Sequence, residues 1–100
     1  MIHALKIEPN FYEEIRNGDK QFEVREDDRH YSVGDVLALN ELDDTRTEYT
    51  GRALLAKVTC VLRDERFLQK NYVVMGIKLL GVTEEYSQGI KFEIYGGNRK

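Results

Sequence analysis

The chain has no tryptophan, one proline and one cysteine among its 100 residues. The single cysteine, Cys60, excludes an internal disulfide framework, so nothing points to secretion. No apolar run approaches the length that spans a bilayer. The first residues, MIHALKIEPN, lack the basic region and long apolar stretch of a signal peptide. Positive charge is not in excess either: 15 Lys and Arg against 18 Asp and Glu leave a net charge of -3, with a pI near 5.4. Binding duplex DNA without regard to sequence relies on many Lys and Arg contacts to phosphate, and this balance argues against it. A single recognised nucleotide needs only a few positive groups, so that partner stays open. Phosphate-binding glycine loops, dinucleotide fingerprints and serine nucleophile elbows are also missing. The expectation is a cytoplasmic domain with no membrane partner and no cofactor.

What is present suits one globular core: 41% of residues are hydrophobic and 33% charged. HALKI (3–7) alternates and reads as a first strand. Pro9 fits the first turn of a helix, and Asn17-Gly18 stops it, which predicts about two turns over 9–17. Phe11 and Ile15, four apart, are expected to share its buried face. QFEVR (21–25) is a strand with Phe22 and Val24 on one side and Gln21, Glu23 and Arg25 on the other. Further strands are read at 36–42, 53–62 and 72–80, with a last one at 90–95. Residues 43–51 form a hairpin connection, and a short helical turn is placed around Phe67 and Leu68. Strands outnumber helices and turns recur about every ten residues. The expected fold class is α+β: a small β-barrel of five to six strands with one or two short helices.

Lys20, Glu23 and Arg25 are the first candidate site. Glu23 and Arg25 are two apart on one strand and project from one face, about 7 Å apart. Lys20 has the opposite parity but follows Gly18, where the chain need not yet be pleated. Spacing alone favours the bland reading, an exposed pair contributing less than about 1 kcal/mol. The acidic run at 26–30 with His30 matches no strong metal signature, and Glu41, Asp43 and Asp44 read as hairpin surface. Cys60 shares parity with Leu54, Ala56 and Val58 and is expected to be a buried thiol. His3 has no carboxylate partner nearby in sequence. Core packing is the expected role of Phe11 and Phe22, while Tyr31 and Tyr72 stay open as stacking surfaces.

The stretch Gly18-Asp19-Lys20-Gln21-Phe22-Glu23-Val24-Arg25 fits G-x-K-x-x-E-x-R, the pattern that marks ASCH domains. The opening HALKIEPNFYEEIRNGDKQFEVREDDRHYSVGDVL, the TGR at 50–52 and the strand YVVMGI (72–77) resemble a small ASCH-related group of bacteria and phages. The resemblance covers 1–80 and leaves 81–100 as a C-terminal extension with room for one extra strand. It implies a PUA-like barrel with a cleft beside the helix where Lys20, Glu23 and Arg25 lie, joined by Lys6 and Arg29, and Tyr72 is taken with them as a ligand-binding candidate. It also implies binding of RNA or of a nucleoside or nucleotide. One ASCH branch removes the acetyl group from acetylated cytidine, using a threonine where this chain has Glu23. The missing hydroxyl argues against that nucleophile here. An amidohydrolase with Lys20 and Glu23 as reacting pair is the second expectation, and a phage-type module that binds a host protein is the third.

Overall fold

The computed structural model describes residues 1–86 and 89–94, with side chains through Glu84. It is mostly β, with one short helix. The elements are β1 (Ile2–Ile7), α1 (Pro9–Arg16), β2 (Phe22–Glu26), β3 (Val36–Leu42), β4 (Tyr49–Leu62), β5 (Tyr72–Tyr86) and β6 (Gly89–Ile94). One mixed sheet runs β1-β3-β4-β5-β2, and β6 lies beside β5. β1 and β3 are parallel, and every other pairing is antiparallel. The outer edge of β5 is shared: β2 covers Tyr72 to Gly76, and β6 covers Gly81 to Tyr86. The sheet curls until its edge strands meet, where the Arg25 Nη2 on β2 donates to the Lys6 carbonyl on β1 at 2.8 Å. The result is a curled half-barrel closed by a side chain rather than by a ladder.

Alternation builds the interior. Leu5 and Ile7 of β1, Leu37 and Leu39 of β3, Leu54, Ala56 and Val58 of β4, and Val73, Met75 and Ile77 of β5 all point inward. Helix α1 begins at Pro9, whose missing N–H costs nothing in the first turn. It ends at Gly18, which takes φ +86 and donates to the Ile15 carbonyl. The buried pair on α1 is Tyr12 and Ile15, not Phe11 and Ile15, and Phe11 is 40% exposed. Two buried acids on the sheet, Glu41 and Glu84, lie under this face, and only tyrosine brings a hydroxyl that can bond one of them.

Other expectations change for equally local reasons. The register of β4 against β5 shifts between Val58 and Cys60, a bulge that turns Cys60 outward and Val61 toward the core. The stretch around Phe67 is turn rather than helix, and Phe67 is 72% exposed. His3, which lacks an acidic neighbour in sequence, meets one in space: its Nε2 lies 2.9 Å from Asp35 Oδ2. No helix among the described residues is long and apolar enough to cross a membrane.

Candidate functional site

β2 runs opposite to the expected orientation. Glu23 faces inward and is 3% exposed, while Phe22 and Val24 face out at 46% and 48%. The alternation is as read, but the polar side faces in. What makes this affordable is two charged partners. Lys20 Nζ donates to Glu23 Oε1 at 2.7 Å, and Arg25 Nε donates to Oε2 at 2.8 Å. Each carboxylate oxygen thus accepts one charge-assisted bond and keeps further acceptor capacity. Lys20 crosses to this side because the chain between Gly18 and Phe22 is not yet strand. Its ammonium lies 4.6 Å from the Phe11 ring centre and 5.3 Å from that of Phe22, a cation between two aromatic faces.

These groups line a cleft of about 520 Å³ between β1, α1 and β2. It is the open seam of the half-barrel. Ile7, Phe11, Phe22 and Val24 give it apolar walls. Lys6, Lys20 and Arg25 supply three cations against four carboxylates, Glu8, Glu14, Asp19 and Glu23. Polyanions are therefore not drawn in by charge alone. A neutral planar group with both donors and acceptors matches it better.

The structure brings Lys6, Lys20, Glu23 and Arg25 together in this cleft. Lys6 and Arg25 also border a second depression that holds Arg29 with Glu26, Asp28, Tyr31 and Tyr49. Tyr72 is paired with Glu26, at the far end of β2 from Lys20, and does not line the cleft. Tyr31 is buried and packs edge-to-face on His3, with ring centres 4.9 Å apart. His30 is exposed, and among the described residues no three His, Cys, Asp or Glu groups converge as a metal set.

A second polar centre escaped the sequence reading. Glu41, expected on the hairpin surface, is 2% exposed. It accepts from Thr50 Oγ1 at 2.7 Å and from Arg52 Nε and Nη2 at 2.8 and 2.7 Å. Arg52 also reaches Glu13 of α1 and covers the Tyr12 ring, 4.4 Å from its centre. Tyr12 in turn donates to Glu84 at 2.7 Å. Burial, then the bond to Glu84, holds the Tyr12 hydroxyl well above the usual phenol range. The bonds to Glu41 hold the Arg52 guanidinium above its ordinary value. Thr50 and Arg52 are the outer residues of the TGR segment, and their role is to fasten α1 and the β4 entry to buried acids.

Residues 2–77 match the model of a family described as a domain of unknown function, DUF3850. The chain belongs to the DUF3850 family. All of Lys6, Lys20, Glu23, Arg25, Glu41 and Arg52 fall inside the matched region of this DUF3850 domain, whereas Glu84 lies beyond it. A relative is the "uncharacterized 12.9 kDa protein in GpA 3'region" of Escherichia phage P2, 32% identical over 74 residues. That alignment covers 74% of the DUF3850 chain described here and 65% of the phage protein.

Proposed function

We propose that the cleft binds a nucleobase, as a modified nucleoside or within single-stranded RNA, on an ASCH-like module with a PUA-like barrel. One observation carries the reading: a buried carboxylate, Glu23, held between Lys20 and Arg25 at the floor of a cleft walled by two exposed phenylalanines. The free acceptor capacity of Glu23 suits an exocyclic amine or ring N–H, and the two cations suit a base carbonyl. Phe11 and Phe22 offer faces on which a base can stack. The near balance of charge in the cleft favours a neutral base over a run of phosphates.

The test is titration calorimetry with a nucleoside panel that includes acetylcytidine, together with short single-stranded RNAs. Lys20→Ala is expected to remove binding. Phe22→Ala is expected to weaken it by about tenfold or more, since stacking contributes roughly 1–3 kcal/mol per base. Phe22 is nearly half exposed, so its loss should shift the melting temperature little. Unchanged affinities in both variants across the panel would overturn the proposal. Chromatography of the acetylcytidine samples is expected to show unaltered nucleoside. A product that depends on Lys20 would make the site a hydrolase instead.

A further inference from the structure

Lys20 borders two depressions. On its other side, a hollow of about 520 Å³ is lined by the end of α1, by Gln21 and Thr59, and by Ile77, Lys78 and Leu79. Its charge differs in kind from that of the cleft. Arg16, Lys20 and Lys78 are among its lining residues, with Arg16 paired to Glu84 and the Lys20 ammonium to Glu23, so Lys78 is its main cation, and no carboxylate is among the described residues that line it. The depression beyond Lys6 and Arg25 is mixed by comparison, with Glu26 and Asp28 beside Arg29.

Three further features converge on this hollow. Lys78 lies directly opposite Lys57 in the β4–β5 register, a like-charge cross-strand pair that costs stability. Neither lysine side chain has a hydrogen bond or ion pair among the described residues. Next, Lys78 to Leu80 fall between the part of β5 covered by β2 and the part covered by β6, so among the described residues that edge has no partner strand there. Finally, the C-terminal end of α1, whose dipole disfavours an anion, is partly capped. Glu13, Glu14 and Ile15 carbonyls already accept from Asn17, from Asp19 and Lys20, and from Gly18.

We infer that this hollow is an anion subsite, which receives the phosphate of a ligand whose base occupies the cleft, with Lys20 as the shared wall. The inference rests on the nucleobase reading above, and it adds that the ligand is a nucleotide rather than a nucleoside. The phosphate is that of a mononucleotide or of a phosphodiester in RNA, since both present anionic non-bridging oxygens to Lys78 and Thr59.

Titrations of cytidine, cytidine 5′- and 3′-monophosphate and a short oligocytidylate separate these sources. A monophosphate that matches the oligonucleotide assigns the subsite to free nucleotides. An oligonucleotide that exceeds both monophosphates assigns it to RNA. In either case the phosphate is expected to strengthen binding by about tenfold, as charge-assisted bonds do, and the gain should shrink with added salt. Lys78→Glu should remove that gain and leave nucleoside affinity unchanged. A gain that survives Lys78→Glu, or no gain at all, overturns the subsite. Inorganic phosphate alone, followed by amide shifts at Gly18, Thr59 and Lys78, tests it without the cleft. If nucleosides do not bind but phosphate shifts these amides in a Lys78-dependent way, the base reading fails and the anion site stands. If phosphate moves none of them, the anion site fails whatever the cleft does.

Discussion

Gly76 occupies a point on β5 where β2 and β4 both pair, opposite Phe22 and Cys60. A Cβ built there would lie 2.5 Å from Cys60 Sγ and 3.0 Å from Thr59 Oγ1. Gly76→Ala is therefore expected to destabilise the fold by about 1–3 kcal/mol through overpacking. Adding Cys60→Ala should recover much of that loss, because the nearer atom is then gone. Urea denaturation of the two single variants and the double variant measures the coupling. Additive effects would mean that the two side chains do not meet. The same residues show what alternation tells and what it hides. Phe22 and Glu23 fall on opposite faces as alternation requires, yet periodicity carries no label for inside. The usual assumption that the apolar face is the buried one fails at β2 because Lys20 and Arg25 supply partners to an inward carboxylate. Cys60 departs from its expected buried place for another reason: a bulge adds one residue to the count, and nothing in TCVL announces it.

At the scale of elements, the joint between α1 and the sheet is polar at its centre. Arg52 ties β4 to Glu41 of β3 and to Glu13 of α1. Arg52→Ala leaves Glu41 buried with the Thr50 hydroxyl as its remaining side-chain donor among the described residues, and removing one member of a buried pair costs about 3–5 kcal/mol. The expected outcome is a fall in melting temperature of on the order of 10 °C or more, with faster amide exchange in α1. A variant that melts with the parent protein would show that water replaces the guanidinium without loss. Most strand positions were legible, and 36–42 coincides with β3, because β-branched and leucine-rich alternation is a direct image of one buried face. The joint was not legible, since an acid in a hairpin and an arginine eleven residues later look like ordinary surface until β3 and β4 are paired.

For the molecule as a whole, acid is the informative stress. Asp35 accepts from His3, from the Ser32 backbone and from the Met1 amine, and its carboxyl is lowered to about 2. Asp27, Asp43 and Asp64 are lowered as well, chiefly by Arg63, by Thr45 and by Arg66 respectively. A carboxyl with a depressed folded-state value stabilises the protein above its unfolded value, about 3.9, and that contribution drains away as pH falls toward the folded value. Stability is thus expected to drop between about pH 4 and pH 2, and Asp35→Asn should flatten that part of the curve. Tyr12 acts in the opposite direction. Its contribution is complete below about pH 10 and is lost as pH rises further, so Tyr12→Phe should lose less stability than the parent over that alkaline range. Denaturation midpoints across both ranges check the two signs independently.

The chain-order arrangement of the seam has a kinetic consequence. β1 and β2 are near neighbours along the chain, but neither pairs with the other: β1 waits for β3, and β2 waits for Tyr72 to Gly76 of β5. During synthesis the N-terminal quarter therefore has no ladder of its own to form. β2 stays without a partner until the ribosome has delivered Tyr72 to Gly76, about fifty residues later. Closure by Arg25 belongs to the last steps of a late, largely non-local folding event.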